Sequence, residues 1–397
     1  ALFYPQIALI SLGVLGIRLI HWRSGRPALS KNWQAYGLFC ISFVIVAGIV
    51  LYSQSLADFG AVISRAEALE MLEFQPGGRN AFFASGLDYW LNGRSGIFHE
   101  RGFTPATLVA GMLLPILLWL PIKSYFKELI NPKIKVLSQV LLVSFGLYFL
   151  AQLFLFELHL PSRYTNHTIR VVLALTCGMS WLILLDSMGH VLSNLGIKQS
   201  IRRTAVQITT FLLLVTIALY PLLFFETFPK VGNYNFAPGQ PIYDFFLAQP
   251  KDTVIASLTD EASNIPTFAQ RTVLISPEHA IAYHKGYYGE FRQRATDLVT
   301  AQYAIDPITY VKVAEKYPIN FWLIDKNAFQ PDYLLSSSWL MQFQPMTTMA
   351  AQNLSAGRQS ILQQSVTACT VLEVENRVIL AADCVLNFAT KMPRPNL

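Results

Sequence analysis

The chain has 397 residues, of which 53% are hydrophobic and only 14% charged, whereas a soluble protein of this size carries about 25% charge. The deficit falls almost wholly on the first 226 residues, which excludes a soluble globular protein and reads as an integral membrane protein with a wetter C-terminal part. The formal net charge of +6 comes from Lys and Arg in short loops between apolar runs. With no RNA- or DNA-binding motif present, no nucleic-acid partner is expected.

The chain opens ALFYPQIALI, with no initiator Met and no basic stretch ahead of its first apolar run, so it shows no secretory signal peptide. That opening suits a processed chain or the back part of a longer one. Six apolar runs then read as transmembrane helices: Phe3–Ile20, Tyr36–Tyr52, Ala106–Ile122, Val136–Phe156, Val171–Val191 and Ile208–Phe225. Positive charge alternates between their connections. Arg23, Arg26 and Lys31 follow the first run, Lys123, Lys127, Lys133 and Lys135 the third, and Lys198, Arg202 and Arg203 the fifth, with Glu128 the one opposing acid. By the positive-inside rule these loops face the cytoplasm. Residues 53–105, 157–170 and everything after Glu226 then face outward. The expected architecture is an α-helical polytopic membrane protein over residues 1–226, with an outer loop at 53–105, followed by an extracytoplasmic α/β domain over residues 227–397 that ends in a β-hairpin.

In the outer loop, SLADFGAVISRAEALEMLEF spaces Phe59, Val62, Ile63, Ala66, Leu69 and Leu72 as one helix face, with Glu67, Glu70 and Glu73 on another. This predicts an amphipathic helix along the membrane surface or under a soluble domain. PGGRNAFF and NGRSG supply turns.

The segment LHLPSRYTNHTIR, Leu158 to Arg170, is a polar island between two strongly apolar runs. It sets His159, Arg163, Tyr164, His167 and Arg170 at headgroup depth, on the outer side. Arg and Tyr at helix ends commonly snorkel or anchor. The same residues would also attract an anionic lipid head or a lipid-linked phosphate. Elsewhere in the membrane region, Arg18 and Asp186 lie toward the cytoplasmic ends of their helices, where each is expected to reach the interface or pair with the other.

Beyond VGNYNFAPGQP, which reads as a linker, TVIASL, TVLIS and FWLID are short apolar runs of strand character. GEFRQRATDLVTAQYA and ITYVKVAEKY read as helices between the last two. Strands alternating with helices predict a small α/β layer with part of its sheet parallel. VTACTVLEVENRVILAADCVLNFA reads as two strands around a turn at Asn376 and Arg377. That register sets Cys369 opposite Cys384, in a compartment where a disulfide persists. Cys40 and Cys177 fall inside membrane helices as inert core residues. Glu278, His279 and His284 form only a weak cluster, so no metal site and no cofactor are assigned.

The layout of helices followed by an outward α/β domain resembles the C-terminal half of bacterial polytopic GT-C-type membrane glycosyltransferases, the class of oligosaccharyltransferases and mannosyltransferases. The residues that carry the resemblance are LPSRY at 160–164, DTVIASL at 252–258 and KYPINFWLID at 316–325. It implies residence in a bacterial inner (plasma) membrane and transfer of a sugar from a polyprenyl-phosphate-linked donor on the outer face. Arg163 and Arg170 would contact the lipid phosphate, with Tyr164 and His159 beside them. A guanidinium fork suits phosphate oxygens, and a departing sugar phosphate needs fixed positive charge. In that family a catalytic carboxylate sits in the loop after the first helix, and no such arrangement opens this chain. Asp88 and Glu100 are the acids available in the outer loop, and neither lies in a motif, so no catalytic residue is assigned. The competing reading is a non-catalytic membrane subunit or assembly factor whose outer domain binds a protein partner.

Overall fold

Long apolar helices dominate the N-terminal half, and a helix satisfies its own backbone N–H and C=O groups inside a bilayer. The computed structural model describes residues 4–23, 26–54, 59–98, 105–131, 133–224 and 239–392. Residues 231–238 of the expected linker, the outer-loop acid Glu100 and the last residue of the sixth run, Phe225, lie outside the described residues. The chain divides into two compact units, Ala1–Leu56 with Ala84–Tyr234, and Ala57–Phe83 with Asn235–Leu397.

The first unit begins with α1 (Pro5–Arg18), a two-stranded ribbon of β1 (Ile20–Arg23) and β2 (Arg26–Leu29), and α2 (Trp33–Gln54). After α3 (Arg65–Glu70), which belongs to the second unit, come α4 (Leu87–Leu91), α5 (Pro105–Trp119), α6 (Tyr125–Ile130), α7 (Lys135–Leu153), α8 (Ser162–Asn194) and α9 (Gln199–Phe224). Four of these, α2, α7, α8 and α9, are long and apolar enough to cross a membrane. The first and third expected spans fall on α1 and α5, apolar helices of 14 and 15 residues, which rise only about 21–23 Å. Large side chains such as Val44, Leu51, Leu153 and Phe211 stand exposed on these helices, as lipid-facing groups do. Close crossings use small residues. A Cβ on Gly13 of α1 would lie 2.4 Å from Val143 of α7, and one on Gly111 of α5 would lie 2.9 Å from the Leu173 carbonyl of α8. Asp186 accepts the Tyr125 N–H at 2.7 Å, at the start of α6, so its partner is a helix end.

The second unit is an α/β domain. Its elements are α10 (Gln240–Leu247), β3 (Val254–Ser257), α11 (Ile265–Phe268), β4 (Thr272–Val273), α12 (Lys285–Gln302), α13 (Pro307–Lys316), β5 (Phe321–Asp325), α14 (Pro331–Ser336), α15 (Met346–Ser355), α16 (Ile361–Cys369), β6 (Thr370–Val374), β7 (Arg377–Ala381) and α17 (Ala382–Lys391). The sheet order is β4-β3-β5-β7-β6, with β3 parallel to both β4 and β5 and β7 antiparallel to β5 and β6. The three expected strands and two expected helices are therefore present, and part of the sheet is parallel. Ile255, Leu323 and Ile379 from adjacent strands pack with Ile242, Tyr243 and Phe246 of α10 as one core cluster. The protein is a polytopic α-helical membrane protein with a C-terminal α/β extracytoplasmic domain.

Two expectations need correction here. The Cys369–Cys384 disulfide is present, with Cα atoms 5.5 Å apart, but its cysteines are not opposed across a hairpin. Val374 pairs with Arg377, so the turn is Glu375–Asn376, one residue earlier than expected. Cys369 ends α16 and Cys384 lies in the first turn of α17, so the bridge joins the helices that flank the strand pair, and α17 follows that pair. Closing a loop of this length restricts the unfolded chain by about 3 kcal/mol.

The second correction concerns residues 59–74, where no long amphipathic helix forms. Gly60 takes φ +69°, and a Cβ there would lie 2.6 Å from the Gly286 nitrogen. Val62 then bridges His284, with Ile63 N–H donating to the Tyr283 carbonyl at 3.0 Å and Lys285 N–H to the Ala61 carbonyl at 2.8 Å. Only α3 is helical, started by a capping box between Ser64 and Glu67. Lys285 lies 2.5 Å from Glu67 and, with the Ser64 bonds, holds that carboxyl down at about 2. The fully buried Glu73 accepts from Tyr288 at 2.8 Å and is ion-paired with Arg292. Burial and the adjacent Glu73 push the Tyr288 phenol well above its ordinary range. Arg79 completes the seam, 2.6 Å from Glu278 and donating to the Pro277 carbonyl at 3.0 Å.

Removing the Glu73 carboxylate leaves the buried Tyr288 hydroxyl without its acceptor and the part-exposed Arg292 without its ion pair. Glu73→Ala is expected to destabilise the outer domain by about 2 kcal/mol, read as a lower denaturant midpoint and faster hydrogen exchange in α12. Unchanged exchange in α12 would show that the seam is not held by this carboxylate.

Candidate site at the outer end of α8

The polar island read from the sequence is not a loop. Helix α8 begins at Ser162 directly after Pro161 and runs 33 residues, about 50 Å, so residues 162–170 are its first turns. His159, with φ +64°, reverses the chain into it. No side chain caps this end. The Ser162, Arg163 and Tyr164 N–H groups instead donate to the Arg94, Leu160 and Pro161 carbonyls at 3.4, 3.1 and 3.1 Å. The donors that usually make a helix start an anion nest are already taken, so an anion here must be held by side chains.

The second half of the outer loop packs over this end. The Ser95 carbonyl accepts from Tyr148 at 2.9 Å and from Gln152 at 2.7 Å, both on α7. Tyr89 donates to Gln152 at 2.8 Å, and Thr165 of α8 donates to the Ile97 carbonyl at 2.7 Å. Ser144 of α7 donates to the Tyr164 carbonyl. These bonds turn one face of α8 inward, and Ser162, Tyr164, Thr165 and Thr168 are buried on it. Ser162 Oγ and Asn166 Oδ1 are buried there with no hydrogen-bond partner among the described residues.

The opposite stripe carries the charge. Arg163, His167 and Arg170 are spaced i, i+4 and i+7, so they share one face over two turns, about 10 Å along the axis. His167 is exposed and edges onto the Tyr4 ring at 6.2 Å. The two arginines are half-buried, and among the described residues Arg163 forms no ion pair. Tyr164 is on the other side: it is 1% exposed and its hydroxyl donates to the Leu158 carbonyl at 2.8 Å. It fixes the turn that leads into α8 and does not line the charged stripe. His159 is exposed beside that turn. The sequence reading named His167 within the island but left it out of the site; its i, i+4 relation to Arg163 becomes visible once the island is helical.

The candidate acids among the described residues are engaged. Asp88 accepts from Asn92 at 2.6 Å within α4 and the turn after it. Glu278 is paired with Arg79, and His279 Nδ1 is 2.6 Å from Ser276 Oγ. Among the described residues no three His, Cys, Asp or Glu converge as metal ligands.

One polar cluster in the outer domain was not foreseen. Parallel sheets hold ligands beyond the carboxyl ends of strands whose connections diverge, here β3 and β5. That position holds Arg377, 2.8 Å from Glu261 and 3.1 Å from Asp325. Glu261 also accepts from Tyr243 and, at 3.0 Å, from Asn264, while Tyr333 donates to Asp325 at 2.9 Å. Burial first, and then the adjacent carboxylates, push both phenols well above their ordinary range. Each acid is satisfied by two or more donors, so the network is closed. The signal for it was the position of Asp325 and Glu261 just at or after strand ends. No protein-family model matches the chain, and no curated protein matches it either.

Proposed function

We propose that the protein is a membrane glycosyltransferase-like protein that holds a polyprenyl-phosphate-linked sugar at the outer end of α8. The observation that carries this reading is the cationic stripe Arg163–His167–Arg170, opposite a face fixed by the 86–98 loop. Arg163 is the primary phosphate contact because no carboxylate among the described residues neutralises it. Arg170 lies two turns deeper, so the pair can follow an elongated pyrophosphate or phosphate–sugar head, and a fixed guanidinium stabilises charge developing on the departing phosphate. Tyr164 and His159 position the turn. The expected six spans, with α1 and α5 as the short ones, put this site and the outer domain on the non-cytoplasmic face of a bacterial plasma membrane, supported by ten Lys and Arg against one acid in three alternate loops.

A second reading is favoured by the closed Glu261–Arg377–Asp325 network, which fills the position where an α/β domain would hold a substrate. On that reading the outer domain is a binding module and the protein a non-catalytic subunit or assembly factor.

Arg163→Ala is expected to lower co-purification of anionic polyprenyl lipid about tenfold, and Arg163→Lys to restore it only in part because the planar fork is lost. Lipid retention equal to wild type in Arg163→Ala would leave the arginine an interfacial anchor. For orientation, single cysteines at Ser200 and Ser338 in a chain whose four native cysteines are replaced should react in intact cells at position 338 only. An impermeant thiol reagent that reached position 200 and spared 338 would invert the topology.

A further inference from the structure

Strand β4 is an edge of the five-stranded sheet. Thr272 N–H donates to the Thr253 carbonyl at 3.3 Å and Leu274 N–H to the Ile255 carbonyl at 2.9 Å. Val273 lies opposite Ile255 between those two bonds, so its own N–H and C=O point away from β3 and are free to pair outward. Residues 271–276 form one wall of a cleft of about 350 Å³, and α12 forms the other. The helix presents Tyr287, Glu290, Phe291 and Arg294 to it, at the i, i+3, i+4 and i+7 spacing of one helix face. Tyr287 is held in place by its hydroxyl, which donates to the His279 carbonyl at 2.7 Å, and its ring stacks with Phe291 at 6.3 Å.

The cleft also carries unbalanced positive charge. Arg271 is buried, and its guanidinium donates to the carbonyls of Leu247, Gln249, Ala269 and Gln270. Among the described residues it meets no carboxylate. Arg294 is 3.3 Å from Glu290, an exposed pair of little strength. The N–H donors of Arg271 are spent on those carbonyls, but its charge remains, so among the lining residues the charges of Arg271 and Arg294 are opposed by the single carboxylate of Glu290.

We infer that this cleft takes up an extended acidic polypeptide segment, which adds as a strand to the edge of β4. Its backbone pairs with the Val273 N–H and C=O. Alternate side chains rest on Tyr287 and Phe291, and a carboxylate lies beside Arg294. An open strand edge walled by a helix is the geometry that strand addition uses: main-chain bonds give affinity and alternate side chains give selectivity. This site is separate from α8, and its fate does not depend on the lipid reading.

The test uses the full-length protein in lipid nanodiscs, selecting from a phage library of random decapeptides and then measuring synthetic copies of the selected peptides. Val273→Pro removes an N–H that no strand of the sheet uses, at an edge position where proline is accepted. Arg294→Glu reverses the charge on an exposed side chain. Selected peptides should alternate apolar residues with an acidic one, slow hydrogen exchange at Val273, and bind each variant at least tenfold more weakly. Failure of selection to converge, enrichment of basic peptides, or equal affinity for wild type and Arg294→Glu would overturn the inference. If Val273→Pro lowers the melting temperature of the outer domain, Arg294→Glu and the exchange at Val273 decide the matter between them.

Discussion

A carboxylate with no exposed surface must be paired or neutral, and Glu73 is paired, with Arg292 and Tyr288. That requirement shapes the outer domain. Residues 57–83 follow one membrane helix in sequence and precede another, yet they are part of the α/β unit. Glu67 with Lys285, Arg79 with Glu278, and Asn80 with the Ala280 carbonyl extend the same seam. The domain is therefore assembled from two separate stretches of chain, and the C-terminal stretch alone lacks the acid that Arg292 needs. Because the seam joins residues some 200 positions apart, it forms only after the membrane helices between them have been made.

In the membrane unit the corresponding constraint is backbone and hydroxyl satisfaction. The Ser95 and Ile97 carbonyls of the 86–98 segment accept from Tyr148, Gln152 and Thr165, which ties that segment to the ends of α7 and α8. Fixing one face of α8 in this way leaves the other face to carry Arg163, His167 and Arg170 in a single row. The charge is thus displayed by the same contacts that order the helix end.

Much of the fold was legible because it is local. Buried runs such as FWLID read as strands, and the alternation of helix and strand gave the parallel part of the sheet. The two cysteines were paired correctly for a reason that failed: Glu375 adopts φ +44°, the turn closes one residue early, and helix ends bring the sulfurs together instead. The helix expected over residues 59–72 was broken by long-range partners that no local pattern announces, Gly286 against Gly60 and His284 against Val62. At the candidate site, residue types marked Arg163 and Arg170 but could not tell Tyr164 from His167. That distinction depends on knowing that the island is helical, because three positions along α8 separate a ring packed at 1% exposure from an exposed one. The Glu261–Arg377–Asp325 network draws on three distant segments and had no sequence signature beyond two acids near strand ends.

The proposed binding of a lipid-linked phosphate by the row of cations on α8 is open to direct measurement. The most direct measurement is an electron cryomicroscopy structure of the protein in nanodiscs with a short-chain polyprenyl phosphate. Phosphate density is expected on the Arg163 side of α8, with guanidinium nitrogens about 2.7–2.9 Å from phosphate oxygens. Phosphate density confined to another part of the molecule, with the Arg163 side chain unaccompanied, would contradict it.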